Sequence, residues 1–271
     1  MHSTLKIGTV VTLVAIALDV VLYALHPLGD NFFRILDWAV VLYALAAVIT
    51  GISALRFVGA GSDQGKALLF LIAGGASWML GEFSWAVLET LLNIENPLAS
   101  IADVFWYAGY VFFAIGLYKI WNLVKTPVER NRMYPISVAL VVLILLGITY
   151  ATLPLLGDMT LTLIQKAVIL GYVPLDFILL GEIIIIFFSF VGGGLVKPWL
   201  VIFASLSAAT LADILYAQIN AMYQTANFFG VLWDIQYILL TFGYFYYRQT
   251  IRDISTAPIR KRGGKFTASA S

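Results

Sequence analysis

The sequence predicts an all-α membrane protein of eight transmembrane helices, built as two parallel four-helix repeats, and three observations predict it. Hydrophobic residues fill 61% of the 271 positions and charged residues only 11%, against about 25% charged in soluble domains; the mean hydropathy is +0.93. Apolar stretches long enough to cross roughly 30 Å of hydrocarbon, about 20 helical residues each, fall at 5–25, 33–56, 67–92, 100–124, 134–156, 168–190, 198–219 and 229–250. Acids inside those stretches repeat: Glu82 and Asp103 are 21 residues apart, Asp213 and Asp234 are 21 apart, and each member of the second pair follows its counterpart by 131.

The first stretch follows Lys6 and contains small residues, as a signal peptide does, but it is too long for a signal core and carries Asp19, so it reads as a true span. The even count of spans is tested by charge. With the N-terminus cytoplasmic, fourteen of the 16 basic residues fall on the inner side, leaving Arg34 and Lys166 outside, a positive-inside distribution that an odd count would destroy. Both termini are therefore expected in the cytoplasm and the protein in the cell membrane.

The 131-residue offset recurs elsewhere. Lys66 matches Lys197, Gly61 matches Gly192, Asn96 matches Asn227, Trp85 matches Tyr216 and Trp106 matches Tyr237. Halves with an even number of spans run parallel, related by an axis along the membrane normal. Residues 1–130 form the first repeat and 131–250 the second, divided by the polar link at 125–134 between Pro127 and Pro135. Residues 251–271 are basic and lack apolar periodicity, the composition of a disordered cytoplasmic tail lying against anionic lipid. Membrane lipids are the expected partners, with no nucleic acid; no soluble catalytic domain is expected. The absence of cysteine excludes disulfides, thiolate-bound metals and iron–sulfur clusters.

An acid at bilayer depth costs at least about 2.5–3.5 kcal/mol unless it is paired, protonated or bound to a cation. The topology places Glu82, Glu89, Asp103, Asp176, Asp213 and Asp234 in the outer half, together with Asp19 and Asp37, and leaves Glu182 nearer the middle or inner half. Asp103, Asp176 and Asp234 are expected a turn or two below the outer surface. No Lys or Arg shares their depth except at the rim, so these groups must be neutral, solvated or cation-bound. Three uses remain open: a carboxylate-bridged di-metal centre, a proton- or cation-coupled transport path, and a purely structural role in which each acid bonds nearby tyrosines, serines and amides. The Glu-x-x-His signature of bundle di-iron proteins is missing, because His2 and His26 are the only histidines. Trp85, Trp106, Tyr107, Tyr110, Tyr216, Trp233 and Tyr237 cluster near the acids, as partners to them or as an interfacial aromatic belt.

Two resemblances follow from these residues. The stretch Pro97-Leu-Ala-Ser-Ile-Ala-Asp-Val-Phe-Trp-Tyr-Ala-Gly-Tyr110 resembles the membrane sensor regions that precede kinase or cyclic-dinucleotide domains in prokaryotic signalling proteins, which implies a separate signalling partner here. Trp233-Asp234 in the last helix resembles the counter-ion turn of microbial rhodopsins, but Ile238 stands four residues on and no lysine lies in mid-membrane. That combination is similar to the archaeal di-iron rhodopsin mimics, and the resemblance implies a partly rhodopsin-like bundle with metal where rhodopsins hold the chromophore.

The expected site binds two metal ions, iron first and zinc or manganese next, with neither retinal nor haem. Its expected ligands are Glu82, Asp103, Asp213 and Asp234, then Glu89, Asp176 and Glu182, with Asp37 in reserve. Trp85, Tyr107, Tyr216 and Tyr237 would orient those ligands. An iron pair would suit oxygen or redox chemistry, a zinc pair hydrolysis or stabilisation; the catalytic residues and any small-molecule substrate are not specified by the sequence.

Overall fold

The computed structural model describes residues 2–25, 31–94, 97–124, 138–139, 141–143, 145–147, 149–150, 155, 157–190, 193–219 and 227–256. Every regular element among them is helical. In order these are α1 (His2–Leu25), α2 (Asn31–Val58), α3 (Asp63–Ala86) continued by a π-helical turn (Val87–Leu91), and α4 (Ile101–Val124). The described residues between 138 and 157 are also helical and form α5. Then come α6 (Leu163–Ser189), α7 (Val196–Ile219), a 3-10 turn (Asn227–Gly230) and α8 (Val231–Thr256). Seven of the eight, all but the partly described α5, are long and apolar enough to cross a membrane, and the chain is read as a multi-pass membrane protein. The expected boundary at 130/131, Pro127 and Pro135, His26, Asn96, Gly192 and the tail from 257 lie outside the described residues.

Three helix ends differ from expectation. Helix α6 starts at Leu163 rather than 168 because Thr162 and Gln165 close a capping box, each side chain meeting the other's backbone N–H. Helix α3 starts at Asp63, four residues before its expected start, because Ser62 caps it, accepting from the Gly65 N–H at 2.9 Å. Helix α8 runs on to Thr256 with Ile251 packed against the core, so residues 251–256 are helix, not tail.

Here the upper end of the bundle is the end where α1 finishes and α2 begins. Six helices close a ring in the order α2, α3, α4, α6, α7, α8 and back to α2, and α1 docks on α8, with Gly8 facing Phe242 and Phe245. Helix α5 lies against α6, where Gly147 faces Phe177 and Leu155 packs with Val173. Inside the ring, Leu68, Leu71, Leu117, Ile183, Leu206 and Leu240 form one apolar core. Large apolar side chains are exposed on the outside, as on α1 at Val10, Leu13, Val14 and Leu18, where a bilayer would cover them.

The α3–α4 contact explains four glycines. On α3, Gly74 receives Phe113 and Gly81 receives Trp106; on α4, Gly109 receives Trp78 and Gly116 receives Leu71. Each set repeats at seven residues, so both helices present glycine and large side chain alternately along one antiparallel register. A Cβ at any of the four would collide with the facing side chain. Small residues that admit close helix approach are how membrane helices pack tightly without a hydrophobic driving force. The Trp78 indole N–H adds a 3.0 Å hydrogen bond to the Trp106 carbonyl.

Candidate functional site

Above the apolar core the ring opens into a cavity of about 140 Å³. Five acids from five helices line it: Asp37 of α2, Glu82 of α3, Asp103 of α4, Asp213 of α7 and Asp234 of α8. All four acids of the repeated spacing therefore share one space. No Lys, Arg or His is among the described residues that line it. Aromatic rings supply much of the rest, among them Trp85, Trp106, Tyr172, Tyr216 and Trp233.

On the α4–α6–α7 side, each acid is met by donors. Asp103 sits in the first turn of α4 and accepts the Ser100 backbone N–H at 2.7 Å while the Ser100 hydroxyl accepts from the Ala102 N–H at 3.2 Å. This is a variant of the capping box in which the Ser100 hydroxyl takes the N2 rather than the N3 N–H, and it accounts for an acid at that place through helix initiation. Its other oxygen accepts from the Tyr172 hydroxyl at 2.6 Å. Asp213 accepts from the Trp233 indole at 2.9 Å. The Tyr110 hydroxyl lies 2.6 Å from Asp176 Oδ1 and 3.0 Å from Asp213 Oδ2. A hydroxyl has one proton to donate, so both contacts are hydrogen bonds only when one of the two carboxyls carries a proton.

Glu82 stands between the two sides. Its Oε1 accepts from Trp106 at 3.2 Å and from Tyr237 at 2.7 Å, and no hydrogen bond to Oε2 exists among the described residues. Trp106 and Tyr237 are the pair matched at the 131-residue offset, and both converge on this one oxygen.

The α1–α2–α8 side is different. Asp37 accepts no hydrogen bond among the described residues and lies within electrostatic reach of Glu82 and Glu89. Asp234 is fully buried. Its hydrogen-bonding neighbours are the Tyr23 hydroxyl and the Asp19 carboxyl, and two facing carboxyls bond each other only when one carries a proton. Asp19 is also fully buried; its Oδ1 accepts from Tyr43 at 3.2 Å and its carboxyl pairs with that of Asp234.

The remaining expected residues fall as follows. Glu89 sits in the π-helical turn and accepts from Trp85 at 2.6 Å, so Trp85 serves Glu89 rather than a cavity acid. Asp176 lies at the middle of α6, because the helix begins five residues earlier than expected. Glu182 is not part of this site: it lines a separate cavity near the lower end with Asp63, Lys66 and Lys119. Tyr107 donates to the Val168 carbonyl at 2.7 Å and stacks on Tyr172, so its hydroxyl is spent on backbone. Tyr216 lines the cavity edge-on to Trp233 at 5.7 Å. Sequence reasoning missed Tyr172 and Tyr43 and gave Asp19 no role. For Asp103 the signal was present, since Ser100-x-x-Asp103 spells a capping box.

Among the described residues, no three His, Cys, Asp or Glu side chains come together to hold a metal ion. The reason is visible in the donors: Asp103 and Asp213 have both oxygens turned to tyrosine, tryptophan or backbone N–H groups. No protein-family model, curated protein or solved structure matches this chain.

Proposed function

We propose that this chain is a membrane-embedded binding protein for a cation held in the upper cavity. The observation that carries this is five carboxyl groups from five helices around one space with no basic lining residue. Carboxylates so placed repel one another by several kcal/mol at low dielectric, and a bound cation removes that repulsion. The positive-inside charge distribution supports a cytoplasmic lower end and a cavity on the outer side. Leu71 lies eleven residues below Glu82 on α3, about 16 Å along the helix, inside the apolar core. That closed floor favours a receptor or sensor site over a path across the membrane, with the output passed to a separate partner.

The two-repeat architecture belongs to the same proposal. Exchanging α2, α3 and α4 with α6, α7 and α8 maps the ring of helix contacts onto itself. The register of the glycine pairs also has a counterpart 131 residues on: Gly74 and Gly81 correspond to Ser205 and Ala212, and Phe113 and Trp106 to Tyr244 and Tyr237, all four of the latter set buried.

A di-metal centre of iron, zinc or manganese is a second reading, favoured by the number of acids; it requires the tyrosine and tryptophan donors to leave the carboxylates. The test is a thermal-shift series on the detergent-purified full chain with Fe²⁺, Mn²⁺, Zn²⁺, alkali ions and alkylammonium ions, repeated on Glu82→Gln. A ligand at a hundred times its Kd stabilises by about 2.7 kcal/mol. At least one cation is expected to raise the midpoint saturably in the native chain and less in Glu82→Gln. If no cation of any class does so, the cation-binding proposal is wrong.

A further inference from the structure

The lower cavity is about 630 Å³ and lies between the foot of α3, the last three turns of α4 and Glu182 of α6, within the roughly 300–1,000 Å³ of pockets that hold drug-sized ligands. Unlike the upper cavity it is lined by bases, Lys66 and Lys119, from two helices. We infer that it seats one anionic phospholipid of the surrounding leaflet, with the phosphate on Lys119, Lys66 and Asn122 and the chains running up the outer face of α4. Lys119 is the anchor. Its ammonium lies 5.4 Å from the centre of the Phe70 ring, which holds a cation at the cavity wall, and among the described residues no carboxylate pairs with it. Asn122, nearly one turn further down α4, is exposed and adds amide donors. Lys66 is bonded to Asp63 at 3.2 Å, but both side chains are largely exposed, such pairs are weak, and an ammonium has N–H groups to spare for a phosphate. Basic pockets between membrane helices are where anionic headgroups bind.

The lining is also ordered as a lipid is. From Leu123 to Ala114 the α4 wall climbs nine residues, about 13 Å, and above Asn122 and Lys119 it passes to Tyr118, Ile115 and Ala114. The polar contacts therefore lie below and the apolar ones above. Tyr118, Val111 and Val104 follow one another at seven-residue spacing on one face of α4, and all three are exposed. A phosphate held at Lys119 lays its hydrocarbon chains along that stripe. Glu182 enters from α6 seven residues above the lower end of that helix, about 10 Å, and makes no ion pair with either lysine. At that height a lipid presents the oxygens that join its chains to glycerol, and a protonated carboxyl donates one hydrogen bond to such an oxygen.

Two other occupants make different demands. A zwitterionic phospholipid brings its own positive charge towards two lysines. Free glycerol phosphate satisfies the lysines and leaves the apolar stripe bare.

The experiment is native mass spectrometry of the full chain in detergent, titrated with dioleoyl phosphatidylglycerol, dioleoyl phosphatidylcholine and glycerol 3-phosphate. One phosphatidylglycerol per chain is expected, bound about fivefold more tightly than phosphatidylcholine, with no competition from glycerol 3-phosphate. Lys119→Ala should weaken phosphatidylglycerol about fivefold, and Ile115→Trp, which fills the apolar wall and leaves the charges alone, should weaken both lipids. Asn122 is exposed, so Asn122→Ala keeps the test open should Lys119→Ala or Ile115→Trp not fold, with a loss of about threefold expected. Lys197 is an exposed base at the lower end that does not line the cavity, and Lys197→Ala should change nothing. Glu82→Gln in the upper cavity should change nothing either, so this site and the cation site stand or fall separately. Equal affinity for the two lipids, unchanged affinity in folded Lys119→Ala or Asn122→Ala, or an equal loss in Lys197→Ala overturns the site. Competition by glycerol 3-phosphate at the concentrations of the lipid overturns a phospholipid as its occupant.

Discussion

On the α4–α6–α7 side of the cavity, Asp103, Asp176 and Asp213 are met by Tyr172, Tyr110 and Trp233; on the α1–α2–α8 side, Asp234 is paired with Asp19 and Tyr23, while Asp37 faces the cavity and accepts no hydrogen bond among the described residues. Both sides bury acids at the same end of one bundle. The first uses all its carboxylates to tie helices together; the second ties α1 to α8 through Asp19 and Asp234 and leaves Asp37 open to the cavity. An intramembrane acid is thus not functional merely because it is costly. What distinguishes one acid from another is whether the protein itself supplies the donors: each side holds a carboxyl pair, Asp176 with Asp213 and Asp19 with Asp234.

Opposite signs of mutational effect on the two sides would sharpen this comparison, and equal signs would break it. The largest effect is expected for Tyr110→Phe, which leaves Asp176 Oδ1 and Asp213 Oδ2 without their shared hydroxyl: about 1–3 kcal/mol of stability lost, measured as a reversible unfolding midpoint in detergent. An unchanged midpoint would mean the tyrosine does not hold that side together. Ser100→Ala should cost about 1 kcal/mol by removing the α4 cap. A loss of cation binding in that variant, with no loss of stability, would return Asp103 to the functional set. Asp234→Asn should instead gain about 1 kcal/mol, because an amide donates to Asp19 without a proton having to be held between two buried carboxyls. Destabilisation there would show that the proton shared by Asp19 and Asp234 serves the fold better than an amide does. The smallest effect belongs to Tyr237→Phe, about 0.6 kcal/mol, typical of an interhelical hydrogen bond in a membrane, since Trp106 remains on Glu82 Oε1.

Much of the frame was legible because lipid imposes it: a span must be apolar and about 20 residues long, so seven spans appear where hydropathy puts them. The meeting of Glu82, Asp103, Asp213 and Asp234 was legible from one repeated interval. Helix starts were not, because Ser62 and Thr162 act through local hydrogen bonds that hydropathy does not register. Nor could the sequence separate acids that bind from acids that brace. That depends on which side chain faces each carboxylate across a helix interface, and Tyr172 reaches Asp103 from 69 positions away. Glu182 shows the same limit, since one sequence position carries no sign of which cavity its side chain enters.

The interlocked glycines of α3 and α4 have a mechanical consequence. With Leu71, Trp78, Trp106 and Phe113 each lodged in a socket of the opposite helix, the two cannot slide or rotate past one another without withdrawing all four together. They form a single stiff beam that carries Glu82 and Asp103. Whatever shape change a ligand produces must then be borne by the other helices swinging against that beam. Helix α1, held mainly by α8 and bare on most of its surface, is the part with the least to restrain it.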